Sequence, residues 1–482
     1  MEWKAFVLVS IVLLCLTGSV YGLFLPKAQV TSTTLPAVSA AAEVESDEPL
    51  EVTVYNSNLG VVKERRSIVL GEGLDAYLYE GVASQIDPTS VKLTSKDGSF
   101  SVLEQNYQYD LVSKQKILEK YIGKAIKGYK VVGDTKEVVE GILLASQGSE
   151  LIIQTASGEI QIVSVNDLLL PKLPEGLIVK PTLEWLIANK GAGNKSAELS
   201  YMTSGMSWSA DYVIVTNKDD SRMDMSGWVT INNNAGTTFE DASLKLVAGD
   251  VHRAESAEGL RAKTGIALEA DYAAAPQFVE QGLFEYHMYD LQRKTTLKDK
   301  EQKQISLMSS KNSAVEKEFI YEAPSGWYYD TSTSGKVQVK LNFKNSEENG
   351  LGIPLPKGRI RVFKKDGEGK LQFIGEDNID HTPKDETLRI LMGNAFDIVG
   401  ERKRMEIRDL GCQYEVTWNV TLRNHKEEDV TVTVLERAYW DWNIVRENYP
   451  HIRESNEVIK WRVPVKASGE STLMYTIRYN HC

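Results

Sequence analysis

Residues 207–253 read SWSADYVIVTNKDDSRMDMSGWVTINNNAGTTFEDASLKLVAGDVHR, and this stretch decides the fold class. Three short runs in it switch between apolar and polar residues at every step, the period-2 signature of half-buried strands. Tyr212 and Ile214 share one face while Val213 and Val215 take the other. Val229 and Ile231 oppose Trp228 and Thr230, and Leu244 and Leu246 oppose Lys245. Turn-forming residues, Asn217–Ser221 and Asn232–Gly236, separate the runs. The pattern predicts an antiparallel meander of three strands.

The same alternation recurs outward in both directions. Upstream, EVTVYN, GVVKERRSIVL, LDAYLYEGV and SVKLTS lead to a longer run, Ser99–Leu111. One helix is predicted over Lys114–Ile122, where Ile117, Leu118 and Tyr121 form a stripe. Residues 51–123 therefore read as an N-terminal β module with a short helix. Residues 124–173 hold closely spaced short strands and read as a small SH3-like barrel inserted in the larger framework. Residues 181–409 read as a central β-sandwich, interrupted by an Ala-rich mobile excursion over 254–283. Residues 410–482 read as an immunoglobulin-like module: Tyr414, Val416, Trp418, Val420 and Leu422 share a face, and Val430–Val434, Ile459–Val465 and Leu473–Tyr479 alternate likewise. The fold class expected is mainly β, a multi-module antiparallel β-sandwich protein.

The first 22 residues carry Lys4 ahead of an apolar run, Ala5–Leu16, and small residues up to Gly22. This is the build of an export signal, with an uncleaved N-terminal membrane anchor as the other reading. Residues 23–50 are rich in Thr, Ser, Ala and Pro with scattered acids, the composition of a flexible tether. An exported chain lies in the periplasm, on the cell surface or outside the cell. Beyond the signal only Cys412 and Cys482 remain, which invites one disulfide worth about 2–4 kcal/mol; two free thiols, or pairing of Cys482 between chains, are the alternatives. Among the 482 residues, 67 acidic against 55 basic side chains give a net charge of −12, which argues against nucleic acid as a partner.

SWSADY (207–212), GWVTINNNAGTTFEDASLKLVAGDVHR (227–253), LPKGRIRVFKKD (355–366), FIGEDNIDHTPKDE (373–386) and GNAFDIVGERK (393–403) resemble the family known as domain of unknown function 4139. That domain also forms the C-terminal part of mucoidy-inhibitor-A-like proteins. The resemblance spans roughly Glu51–Tyr479. It implies an all-β fold and an envelope location, and it implies no catalytic residues. The helical coiled segment usual ahead of the domain in those proteins has no counterpart in this sequence, which shows no sustained heptad pattern.

No G-x-S-x-G, H-E-x-x-H, P-loop or dinucleotide-binding glycine motif occurs. The densest polar cluster is Glu376–Glu386. It reads first as a turn whose Asp and Thr side chains satisfy backbone amides. Its second reading is a calcium site on Asp377, Asp380, Asp385 and Glu386, since a hard cation takes several carboxylate oxygens. Its third is a hydrolase or metal-dependent centre of Asp380, His381 and Asp385, with His381 as base or metal ligand. Trp327 and Tyr328, and Trp440 and Trp442, offer exposed aromatic platforms for sugars or a partner's pocket, with packing between β modules as the alternative. Trp208, Trp228, Trp418 and Trp461 fall inside strands and belong to the core. Asn194 and Asn419 open N-x-S/T sequons and are candidate glycosylation sites. The expectation is an exported envelope or surface protein acting by binding or assembly, with other envelope proteins or a second copy of itself as partner. An envelope hydrolase or metal-dependent enzyme, and a carbohydrate-binding protein, are the rival classes.

Overall fold

The computed structural model describes residues 50–482 apart from 133–134, 148–149, 165–166, 175, 250, 252–276, 323–331, 440 and 481–482. The described chain opens with β1 (Glu51–Tyr55), β2 (Leu59–Leu70), β3 (Gly73–Glu80), β4 (Lys92–Ser95), β5 (Phe100–Gln108) and one helix, α1 (Lys114–Tyr121). Ser113 caps that helix by accepting from the Lys116 N–H. Then come β6 (Ala125–Val132), β7 (Thr135–Gln147), β8 (Glu150–Gln154), β9 (Ile160–Ser164) and β10 (Asp167–Leu169). The middle of the chain supplies β11 (Thr182–Asn189), β12 (Gly193–Thr203), β13 (Met206–Thr216), β14 (Arg222–Asn233), β15 (Phe239–Ala248), β16 (Phe278–Leu283), β17 (Tyr286–Leu291), β18 (Thr295–Leu297) and β19 (Glu301–Ala314). It continues through β20 (Glu316–Glu322), β21 (Ser332–Lys344), β22 (Gly358–Lys365), β23 (Leu371–Ile379) and β24 (Thr387–Asp409). The last strands are β25 (Gln413–Asn424), β26 (Val430–Arg437), β27 (Asp441–Glu447), β28 (His451–Arg453), β29 (Val458–Val465) and β30 (Gly469–Asn480). The protein is mainly β, as its alternation requires, and no described helix is long and apolar enough to cross a membrane.

Three sheets share the first core. An eight-stranded sheet runs β16-β17-β15-β1-β2-β12-β4, with β18 on β15; a five-stranded sheet runs β19-β14-β13-β22-β23; a three-stranded sheet runs β3-β11-β5. Val52, Leu246, Trp185, Tyr212 and Val229 bring all three together in one apolar interior. The meander expected over 207–253 holds for its first two strands, where β13 pairs antiparallel with β14. The third strand departs from it: β15 lies in the other sheet, parallel to β1, with Val52 beside Leu244 and Val54 beside Leu246. Asn233 enforces the crossing. It is buried, and its amide Nδ2 donates to the carbonyls of Thr237, Leu297 and Lys298, so the chain turns a corner between layers where a hairpin was expected.

The segment after α1 is not a closed barrel. It is an open five-stranded sheet, β10-β6-β7-β8-β9. Leu118 and Tyr121 of α1 cover its inner face, against Leu143, Leu151 and Ile153. With that face already dry, the sheet has no need to curl shut. The end of the excursion expected over 254–283 is also ordered: Phe278–Leu283 is β16, paired with β17 and anchored by buried Phe278. Residues 254–276 lie outside the described residues.

The C-terminal sheet has nine strands, β27-β30-β25-β24-β21-β20-β26-β29-β28, so it draws β20, β21 and β24 from upstream of residue 410. Its two ends fold toward each other, and Trp461 of β29 stacks on Tyr475 of β30 with ring centroids 4.4 Å apart. Val416, Trp418, Val420, Val432, Trp461, Val463 and Ile477 fill its interior, on the faces read from the sequence. Two strands serve both interiors. Leu341 and Phe343 of β21, and Leu388 and Ile390 of β24, pack in the first core, while Val337 of β21 and Ile398 of β24 pack in the second.

Candidate functional site

Among the described residues, two layers of the first core each end on the side of one pocket: β16 closes the eight-stranded sheet and β19 the five-stranded one. The pocket between these strands measures about 220 Å³. Alternation on β16 sends Phe278 and Glu280 inward, while Val279 is 53% exposed. On β19 a register shift opposite Gly227 and Trp228 leaves Leu307 as an extra residue. This bulge turns both Leu307 and Met308 toward the interior. Gly227 makes room for it, since a Cβ there would stand 3.0 Å from Met308 Cγ and 3.1 Å from the Tyr212 ring. Leu351 and Ile353, after the short turn Glu347–Asn349, complete the wall.

The floor is tied to the stretch that opened the sequence reading. Trp208 donates from Nε1 to the Val247 carbonyl at 3.1 Å and meets the Tyr289 ring edge-on at 6.2 Å. Tyr289 donates to the Pro354 carbonyl at 2.8 Å. Burial pushes its hydroxyl pKa well up, and the nearby Glu280 adds to the rise, so it stays a neutral donor. Glu280 Oε1 lies 2.8 Å from His287 Nδ1, an ion pair whenever the imidazole is protonated. The site thus joins an apolar hollow, one carboxylate and two strands that are outermost in their sheets among the described residues. Such an arrangement takes up an extended segment: backbone hydrogen bonds give affinity and a side-chain pocket gives selectivity.

The profile of the domain of unknown function DUF4139 matches residues 197–482. The chain belongs to the DUF4139 family. Among curated proteins none matches the chain. The DUF4139 segment contains the whole pocket, but its eight-stranded sheet is completed by β1, β2 and β4 from outside the match.

Within the DUF4139 segment the acidic turn is a fastening. Asp377 accepts from the Asn378 N–H at 2.9 Å and the Leu391 N–H at 2.8 Å, tying β23 to β24. The Asp380 carbonyl accepts from Thr382 Oγ1 at 2.8 Å, and the Asp380 side chain is exposed. His381 accepts from the Lys357 N–H through Nδ1 at 3.2 Å. Asp385 adopts φ +68° and donates its N–H to the Asn345 carbonyl, while the Glu386 carbonyl accepts from the Asn345 N–H. Asn345, fully buried, is the hub, bonding the Ile353 and Pro383 carbonyls through Nδ2 and the Gly352 N–H through Oδ1. Among the described residues no group of three or more His, Cys, Asp or Glu stands together to hold a metal.

Trp442 is no surface platform. It is 4% exposed, donates from Nε1 to the Asn456 carbonyl at 2.6 Å, and carries the Arg453 guanidinium 4.5 Å above its ring. His451 sits between Trp442 and Trp461, and Glu447 accepts from both His451 and the Trp461 Nε1. The reason is topological: β27 is paired onto β30, so its alternate side chains enter the second core. Trp327, Tyr328, Trp440 and Cys482 lie outside the described residues. Trp208, Trp418 and Trp461 are core, while Trp228 is half-buried on the other face of β14. Asn194 is exposed on β12, whereas Asn419 is half-buried mid-strand, its Oδ1 shielded without a hydrogen-bond partner. Sequence reasoning missed the Glu280–His287 pair and the pocket. The alternation of Phe278–Val279–Glu280–Gln281 was the available signal, too short beside the Ala-rich run before it.

Proposed function

We propose that this chain is an exported cell-envelope or cell-surface protein that acts by binding, adding an extended segment of an envelope partner to β16 and seating one of its side chains in the pocket. The observation that carries the reading is the coincidence of an outermost strand with an apolar pocket lined by Phe278 and Glu280 of that same strand. The apolar run Ala5–Leu16 behind Lys4 supports export. A disulfide from Cys412 to Cys482 belongs to the same proposal. The β25–β30 ladder supports it, since Gln413, next in sequence to Cys412, pairs with Asn480, two residues before Cys482 in sequence. A glycan on exposed Asn194 fits an exported chain whose host glycosylates.

The test is a photo-crosslinking residue at Val279 in cells that make the protein. The expected result is a covalent adduct in the envelope fraction that is lost in Ser309→Trp, which blocks the pocket mouth. Recovery of the chain from cytosol, or no adduct at Val279, overturns the reading.

A further inference from the structure

Open strand edges invite pairing with other chains, and folded proteins blunt them with charges, bulges, prolines or brevity. The edges of this molecule mostly follow that rule. β16 carries Glu280, β23 carries Glu376 and Asp377, and β27 carries Asp441 and a register shift. β19 has two register shifts, and β18 is three residues long and largely buried. β9 stands apart among the described edges. Its residues, Ile160-Gln161-Ile162-Val163-Ser164, include no charge, proline or glycine, and its ladder with β8 runs without a shift.

The face beside this edge is equally unprotected. α1 covers one side of the sheet, where Val163, Leu151, Ile153 and Leu143 are buried. On the other side Ile160 is 66% exposed, Ile162 67% and Ile142 43%. Register makes these one patch: Ile142 pairs with Gln154, which pairs with Ile160, and half-buried Ile152 pairs with Ile162.

We infer that β9 is a self-association edge, pairing antiparallel with β9 of a second copy of this chain. The strand selects a second copy as the occupant because it is self-complementary, and it adds no charge of its own to the repulsion between two chains of net charge −12. A two-fold axis through Gln161 sets Ile160 opposite Ile162 of the second copy and Ile162 opposite its Ile160, so both outer pairs are isoleucine on isoleucine and Gln161 faces itself. The sheet then continues from five strands to ten. This inference does not depend on the pocket or on export.

The experiment is light scattering of the full chain across a concentration series, with Ile162→Lys, Ile160→Lys and Ser309→Trp beside the wild type and circular dichroism on each. The expected result is a wild-type dimer, dissociating at least about tenfold more readily in either lysine variant, because the register sets each new ammonium against an isoleucine of the second copy and diagonally across from its symmetry mate. Ser309→Trp leaves the dimer intact, which separates this inference from the binding reading. Gln161→Cys is expected to give an oxidised, disulfide-linked dimer. A wild type that stays monomeric at the highest concentration reached overturns the inference, as does a dimer indifferent to both lysine substitutions.

Discussion

Arg402 and Glu436 meet in the interior of the nine-stranded sheet, with the guanidinium Nη1 2.8 and 3.0 Å from the two carboxylate oxygens. Their side chains are 2% and 8% exposed. Tyr475 donates to the same carboxylate at 2.6 Å, and the guanidinium lies 4.0 Å over Trp418. Burial pushes the Glu436 carboxyl up, against the pull of Arg402 and Tyr475. A buried pair like this costs desolvation and is repaid only while both members are present. Arg402→Met is therefore expected to destabilise by about 3–5 kcal/mol, read as a lower urea midpoint. The double variant Arg402→Met, Glu436→Leu should recover part of that loss.

Asp220, at φ +57° in the turn between β13 and β14, holds Lys317 of β20 and Lys364 of β22, each at 2.6 Å. Burial raises its carboxyl, but the hydrogen bonds and charges of the two lysines outweigh burial and set it below the usual carboxylate range. A depressed carboxyl contributes stability that is present above its unfolded pKa and lost as pH falls through the folded one. Asp220→Asn is thus expected to cost about 1–3 kcal/mol at neutral pH. The gap to wild type should narrow below about pH 4, where the unfolded carboxyl begins to bind its proton. Thermal melts of both proteins across that range check the sign.

Gly335 and Gly400 face each other across β21 and β24, and the Tyr321 ring lies against both. An aromatic ring over paired glycines fills the space their missing side chains leave. Gly400→Ala places a methyl inside the ring's contact distance and is expected to destabilise by about 1–3 kcal/mol. Tyr321→Ala in the same background should remove most of the additional penalty, measured as a double-mutant cycle.

The family match begins at residue 197, inside β12, yet β1 lies between β15 and β2. A fragment of residues 197–482 would bare Leu244 and Leu246, which pack beside Val52 and Val54. It is expected to be insoluble or to lack a cooperative melt, whereas residues 50–482 fold. Solubility and differential scanning calorimetry of the two fragments decide this.

Local alternation made the faces of the C-terminal strands legible, because a half-buried strand writes its orientation into every second residue. Val416 to Leu422 and Ile459 to Val465 are buried on the faces the pattern assigns. The crossing at Asn233 was not legible: Asn232–Gly236 has hairpin chemistry, and the carbonyls of Leu297 and Lys298, far along the chain, decide the outcome. Barrel closure was misread because five short strands look alike whether they curl shut or lie under a helix. The pocket was hidden because Glu280, Leu307 and Leu351 come from three separate segments. The acidic turn was legible as a turn, since Asp and Thr side chains at that density find backbone partners first.

β21 and β24 thread both interiors, and their ladder is offset midway, where the partners of Lys336 and Gln338 jump from Val399 to Asn394. β24 alone, 23 residues long, spans at most about 75 Å. A side chain lost from either interior therefore loosens strands that the other interior also depends on.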